Sequence, residues 1–269
     1  MSTLEKNKEP AVESAKESTV ERRVIILQKL LEIGHVDVNS LSKQFEVSEV
    51  TIRNDLAKLE EKKMLIRARG GAIKLERVST DFHLSDKNKQ HLEEKKRIGK
   101  KAASLIEEGD TIILDSGTTT IEITKHISHL ANLTVITNAL NVASELAEQK
   151  NTNVIIPGGF LKKNSLSLVG SSAEESFRNY FCDKLFLAVD GFSTTHGIST
   201  PNVDEAHLNR IMIENSKKVI VVADSSKFLK RSLALIAPVS KIDIVITDSG
   251  ILPEDQKKLE NQGIQLFIV

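Results

Sequence analysis

The densest run of chemistry-bearing side chains in this 269-residue chain is Asp115-Ser116-Gly117-Thr118-Thr119-Thr120. It follows the apolar run Thr111–Leu114 and opens a helical pattern. A glycine here lets the backbone turn tightly and come close to a ligand. Four hydroxyls and the unpaired N–H groups of a helix start are hydrogen-bond donors, so the stretch suits a phosphate. A Ser/Thr-rich helix cap also forms with no ligand, and spacing alone leaves both readings open.

Other apolar runs end in polar groups as well: Thr137-Asn138, Gly158-Gly159, Asp190-Gly191 and Asp224-Ser225-Ser226-Lys227. Each suits a plain turn or cap. Their shared position after apolar runs is what points to a common pocket. Asp204 and Glu205 precede Ala206, where carboxylates either steady a helix start or take sugar hydroxyls or an amine. Asp115, Asp190, Asp204, Glu205 and Lys227 also contain the acid and base types that proton abstraction beside a carbonyl requires. Spacing cannot show that they converge. His196 is the histidine candidate for such a role, and a loop histidine without a visible partner is more often solvated. His126 and His129 lie three apart with no third ligand in view, so no metal or cofactor is expected. Cys182, the single cysteine, reads as a core residue.

A second stretch could read a polymer. In Ser48-Glu49-Val50-Thr51-Ile52-Arg53-Asn54-Asp55-Leu56, Ser48 can cap a helix whose Ile52, Leu56 and Leu59 face a core. Thr51, Arg53, Asn54 and Lys58 then point outward as donors and acceptors. Alone this is any capped amphipathic helix. Its neighbours give it meaning. A helix capped by Thr19, with apolar Val24, Leu27, Leu30 and Leu31, ends at Gly34. A second helix, capped by Asn39 or Ser40 and carrying Leu41 and Phe45, stops just before Ser48. Helix, short turn, helix is the helix-turn-helix pattern. Two β-like runs then flank Gly70-Gly71, as in a hairpin wing. Arg67 and Arg69 share one face of its strand, within reach of phosphates or a minor groove.

The elements that must position these residues form two blocks. Residues 1–18 are polar and Glu/Lys/Ser-rich, and read as a disordered arm. Residues 19–75 form the winged helix-turn-helix, and 76–86 a polar linker. Lys87 to Glu108 reads as one helix with a basic face at Lys95, Lys96, Arg97, Lys100 and Lys101. From Thr111 on, apolar runs recur at Thr111–Leu114, Leu133–Ile136, Val154–Ile156, Leu185–Val189, Val219–Ala223, Ile244–Thr247 and Ile264–Val269. Helical patterns fall between most of them, around 118–130, 139–150, 171–181, 203–216 and 253–262. Such alternation predicts an α/β domain with a mostly parallel sheet covered on both faces. Ligands of these sheets bind at the carboxyl ends of the strands.

Composition sets limits. Net charge is zero, and residues 20–75 carry 11 Lys and Arg against 8 Asp and Glu, a net +3 that signals nucleic acid only weakly. The absence of Trp and the single Tyr disfavour stacking on single strands. No apolar run approaches the roughly 18 residues of a membrane span, no hydrophobic signal segment opens the chain, and one cysteine fits a reducing cytoplasm.

Arg23, Leu27 and Leu31, then Ser48-x-x-Thr51-Ile52-Arg53-Asn54-Asp55-Leu56, resemble the signature of the DeoR family of bacterial transcriptional regulators. The resemblance covers roughly residues 18–269. With Asp115–Thr120, Gly197–Ala206 and Asp224–Phe228 it is most similar to the repressors of amino-sugar (N-acetylgalactosamine-type) catabolism. It implies a C-terminal sensor domain similar to ribose-phosphate isomerase and glucosamine-phosphate deaminase, with a phosphorylated sugar as effector. The expected protein is a repressor in the bacterial cytoplasm, at the nucleoid. It would bind double-stranded operator DNA as a dimer or tetramer and be released by its effector. The alternative is a sugar-phosphate isomerase or deaminase fused to a DNA-binding domain.

Overall fold

A computed structural model describes residues 19–61, 64–68, 70–74, 83–228 and 230–269. The expected arm 1–18, Arg69, residues 76–82 of the expected linker and the side chain of Leu31 lie outside the described residues. The chain divides into two compact units, 1–75 and 76–269.

In the first unit, helix α1 (Thr19–Ile33) leads into strand β1 (His35–Asp37), then α2 (Val38–Gln44), α3 (Glu49–Glu61) and the strands β2 (Leu65–Ala68) and β3 (Gly71–Lys74). Gly34 takes φ +79, a left-handed turn that costs glycine little, and so ends α1. The core is Ile26, Leu30, Val36, Val38, Leu41, Ile52, Leu56, Leu59, Leu65 and Ala72. Two expectations shift here. Val24 is about half exposed and Ile26 takes the buried position, because the inward stripe of α1 runs through 26 and 30. The cap of α2 is Asp37, whose Oδ1 accepts the Ser40 N–H at 2.8 Å, rather than Asn39 or Ser40. Hydrogen bonding from the Ser40 side chain first, and from its backbone N–H, holds the Asp37 carboxyl below the usual range.

The wing is antiparallel, with Ala68 opposite Gly71, so Gly71 belongs to the strand and Gly70 to the turn before it. Gly71 also pairs with Asp37 of β1, and a side chain there would collide with the Val36 carbonyl. The glycine pair therefore divides its work: Gly70, at φ +88, makes the turn, and Gly71 allows the close approach of β1.

In the second unit α4 (Leu84–Lys89) and α5 (Leu92–Ala103) replace the single expected helix, and α4 begins inside the expected linker. The break is at His91, which sits in the left-handed region at φ 52. The Lys95 ammonium fills it, donating to the carbonyls of Lys87 at 2.5 Å and Gln90 at 2.6 Å. Lys95 is thus buried, where the sequence reading placed it on a solvated basic face.

Then follow β4 (Thr111–Leu114), α6 (Thr120–Thr124), β5 (Leu133–Ile136), α7 (Leu140–Leu146), β6 (Thr152–Ile155), β7 (Phe160–Lys162), β8 (Ser167–Val169), α8 (Ser171–Arg178) and β9 (Cys182–Ala188). The chain continues through β10 (Gly191–Ser193), β11 (Gly197–Thr200), α9 (Val203–Glu214), β12 (Ser216–Val222), β13 (Ala234–Ala237), β14 (Ile244–Thr247), α10 (Pro253–Asn261) and β15 (Gln265–Ile268). Seven strands form one parallel sheet in the order β15-β14-β12-β9-β4-β5-β6. These are the seven apolar runs of the sequence. Ile113, Leu185, Leu187, Val219 and Val221 pack on one face with α8, α9 and α10. Ile112, Leu114, Phe186, Ile220 and Val222 pack on the other with α5, α6 and α7. Alternate residues enter opposite cores, which is why each strand is apolar throughout.

Two smaller antiparallel sheets, β7-β8 and β10-β11-β13, escape the sequence reading. Their strands are three to four residues long, too short for an alternation to register.

The first unit is fastened by one buried carboxylate. Asp55 accepts Arg22 Nε and Arg23 Nε, each at 2.7 Å, and so clamps α3 to α1. Asp55→Ala would strand the buried Arg22 charge and should destabilise this unit by about 3–5 kcal/mol, read as a lower denaturation midpoint of the full chain. An unchanged midpoint would show that the clamp is dispensable.

Candidate functional site

Ser48 caps α3: its Oγ accepts the Thr51 N–H at 3.1 Å and bonds Thr51 Oγ1 at 2.9 Å. Arg53, Asn54 and Lys58 are exposed on one side of the helix, and Thr51 is half-buried. Arg53 pairs with Glu49 one turn earlier at 2.7 Å, both side chains open to solvent. An exposed pair of this kind is worth about 0.3–0.5 kcal/mol, too little to fix the guanidinium in place. The exposed Arg67 donates its backbone N–H to Glu60 Oε1 at 2.9 Å, tying the wing to the end of α3. Thr51, Arg53, Asn54, Lys58 and Arg67 all lie in this unit.

In the second unit the sheet order reverses between β4 and β9. From β4 the chain steps outward to β5 and β6, then returns across to β9 and steps the other way. The loops after β4 and β9 therefore part and leave a crevice, the usual ligand position in open parallel sheets. A pocket occupies it. Its walls include Asp115, Ser116, Gly117, Thr118 and Thr119 from the β4 loop, and Ala188, Val189 and Asp190 from the end of β9. Lys227, from the loop after β12, and Glu205 and Asn209, both on α9, complete the lining together with Leu84, Lys87, Asn164, Ser165 and Thr200.

Gly117 is required by packing. A Cβ on it would lie 2.6 Å from the Ala188 Cβ, so the loop rests directly on the end of β9. The backbone N–H groups of Gly117, Thr118 and Thr119 meet no acceptor among the described residues. Three adjacent free donors in a pocket wall are suited to an anion.

The acids and bases of the pocket are sorted by their partners. Lys87 Nζ pairs with Asp190 Oδ1 at 2.6 Å. Lys162 Nζ pairs with Glu205 Oε2 at 3.1 Å. Glu205 also accepts Ser165 Oγ at 2.7 Å, Ser167 Oγ at 3.2 Å and Thr200 Oγ1 at 3.2 Å. Burial works to raise the Asp190 carboxyl, but Lys87 and Lys227 outweigh it and hold the group below the usual range. Asp115 has no such cation. Burial, with Glu205 and Asp190 nearby, pushes its carboxyl well above the usual range. Lys227 makes no ion pair or hydrogen bond through its ammonium with any described residue.

The remaining sequence candidates fall outside the lining. Thr120 is buried and bonds the Gly117 carbonyl at 3.0 Å, shaping the loop from beneath. Thr137 Oγ1 accepts the Ala139 N–H at 3.1 Å, which is a turn role. Asn138 is buried beside it. Gly158 and Gly159 are exposed, and Gly159, at φ +134, lets β7 pack against Val169 and Ala173. Asp204 is exposed, since adjacent helical residues point about 100° apart and Glu205 takes the inward position. His196 lies exposed in the β10–β11 turn beside Arg231, and Cys182 is buried, its thiol pushed up to about 11.

Lys87, Lys162, Asn164, Ser165, Ser167, Thr200 and Asn209 were not found from sequence. They sit on α4, the β7–β8 hairpin, β11 and the body of α9, not after parallel strands. One signal was available: Ser165 and Ser167, two apart, both reach Glu205 Oε1.

Residues 22–78 match the DeoR-like helix-turn-helix domain and residues 90–249 the DeoR C-terminal sensor domain. This chain belongs to the DeoR family. As a DeoR-family protein it is a DNA-binding transcriptional regulator, similar over nearly its whole length to named repressors. One, provisionally designated the aga operon transcriptional repressor of Escherichia coli O157:H7, is 42% identical over 93% of this chain and 94% of its own. The transcriptional repressor GlcR of Bacillus subtilis is 38% identical over 92% and 95%. Among solved structures, ribose 5-phosphate isomerase from Methanocaldococcus jannaschii overlaps 52% of this chain and 55% of its own, at 15% identity and TM-score 0.39. No helix among the described residues is long and apolar enough to cross a membrane.

Two measurements follow from these geometries. Arg53→Ala should weaken operator binding by about 1–3 kcal/mol if the guanidinium reads a base; unchanged affinity removes it from the interface. Lys95 is held down to about 8 by burial, against 10.5 for a free lysine. The folded state thus binds fewer protons than the unfolded state between those values. Its charge penalty is complete below about pH 8 and relieved as pH rises to about 10.5. Relative to Lys95→Met, the wild type should gain stability across that window in denaturation experiments, and parallel curves would refute the assignment.

Proposed function

We propose that this DeoR-family regulator represses a carbohydrate operon, most consistent with amino-sugar catabolism, and is released from its operator by a phosphorylated sugar bound in the β4–β9 crevice. The observation that carries the effector reading is the cradle itself: three backbone N–H groups without an acceptor among the described residues, the hydroxyls of Thr118 and Thr119, and the Lys227 ammonium, which bonds no described residue, around one pocket. A phosphate supplies the acceptors and the negative charge that these donors lack. Asp115, its carboxyl raised by burial, and the paired Asp190 and Glu205 then face the sugar.

The aga repressor designation of one relative supports the amino-sugar assignment. Two copies at least are needed, because each chain carries one recognition helix and operators present paired half-sites. The described lining of the pocket holds no histidine, and His196 lies elsewhere, which disfavours a deaminase-type reaction.

The route from pocket to DNA runs through α4. Lys87 of α4 holds Asp190 in the pocket wall, Leu84 lines the pocket, and the Leu84 N–H bonds the Asn164 carbonyl at 2.8 Å. A ligand that competes for Asp190 or Asn164 loosens this helix, which follows the segment joining the two units. A coupling of about 1–3 kcal/mol would lower operator affinity roughly 5- to 150-fold.

Lys227→Met should weaken hexose phosphate binding by about 10- to 100-fold, the loss expected of a hydrogen bond to a charged group. Operator affinity without sugar should be unaltered. Calorimetry showing wild-type sugar-phosphate affinity in this variant would move the phosphate elsewhere.

A further inference from the structure

Asn209 lies on α9 one turn beyond Glu205, so both side chains face the same way into the pocket wall. Their situations differ. Both Glu205 oxygens are taken, by Lys162, Ser165, Ser167 and Thr200. Asn209 is only 4% exposed, and its Oδ1 has no hydrogen-bond partner among the described residues. A buried amide oxygen without a donor is unfavourable, and such groups are nearly always satisfied in a functioning state. Asp190 has Lys87 and Thr200. Among the polar side chains on the pocket wall, Asn209 therefore stands out as buried and unsatisfied.

We propose that Asn209 is a specificity-determining residue of this site, and that it bonds a hydroxyl on the part of the effector remote from the phosphate. A hydroxyl both donates and accepts, so it suits the amide with either its oxygen or its nitrogen turned to the ligand. The ligand class is then a phosphorylated polyol or sugar, and neither inorganic phosphate nor an alkyl phosphate completes the site. This rests on the reading of the crevice as a phosphate site and adds what the site selects.

The test is a double-mutant cycle between protein and ligand on the full chain. Binding of inorganic phosphate, a set of hexose 6-phosphates and their monodeoxy analogues is measured for the wild type and for Asn209→Leu. The wild type should lose about tenfold or more on removal of one particular hydroxyl. Asn209→Leu should bind the parent hexose phosphate correspondingly more weakly, be indifferent to that same deletion, and bind inorganic phosphate within about twofold of wild type. Its ligand-free melting temperature should be equal or higher, since no hydrogen bond is lost in the empty protein.

A lower melting temperature with undiminished hydroxyl discrimination would make Asn209 structural and overturn the inference. Parallel weakening on every ligand, including inorganic phosphate, would do the same, since it reports collapse of the pocket. If the wild type binds no phosphate compound at all, the crevice reading itself falls, an outcome distinct from normal binding that ignores position 209.

Discussion

The contact of Gly117 with Ala188 is the constraint on which the sensor site depends. β4 and β9 are neighbours in the sheet, yet the chain leaves them in opposite directions, so their carboxyl ends must separate. The β4 loop can still rest on the last residue of β9 only because position 117 has no side chain, a Cβ there falling 2.6 Å from that of Ala188. The loop is thereby held across the crevice with the N–H groups of residues 117–119 unused. Everything else in the pocket is arranged around that edge: Lys227 from the loop after β12, Glu205 and Asn209 from α9, and Lys87 from α4.

The buried charged groups of both units differ in the partners they are given. Asp55 has two arginines, Asp190 has Lys87, and Glu205 has Lys162 with three hydroxyls. Asp115 is given backbone donors but no cation among the described residues, and burial raises its carboxyl. The Lys227 ammonium makes no ion pair or hydrogen bond with any described residue. The unequal sharing of partners gives the pocket a basic end at Lys227 and leaves Asn209 Oδ1 without a partner among the described residues.

What the sequence disclosed follows from how local each signal is. The recognition helix was legible because Ser48, Ile52, Leu56 and Leu59 lie within twelve residues and obey one period. The parallel strands were legible because Ile112 and Ile113, or Leu185 and Phe186, face different cores and leave no polar position between them. The Asp115–Thr120 loop was legible because it is contiguous. Lys87 was not, since its partner Asp190 is 103 residues away and nothing near either announces the other. Lys95 was misread as a solvated base, because a side chain that caps the carbonyls of a neighbouring helix looks in sequence like any other lysine. Asp55 was passed over for a related reason: it sits among outward polar residues of α3, and only the packing of α1 shows that it points inward.

The central claim is that one molecule carries two sites coupled through a shared equilibrium. Linkage makes this measurable from either side, since an effector that weakens operator binding by some factor must bind the operator-loaded protein more weakly by the same factor. The direct measurement is the affinity of the full chain for a releasing hexose phosphate, with and without saturating operator DNA. The account predicts a loss of roughly 5- to 150-fold on the operator, equal to the loss of operator affinity caused by the sugar. Equal sugar affinities for the free and operator-bound protein would contradict it.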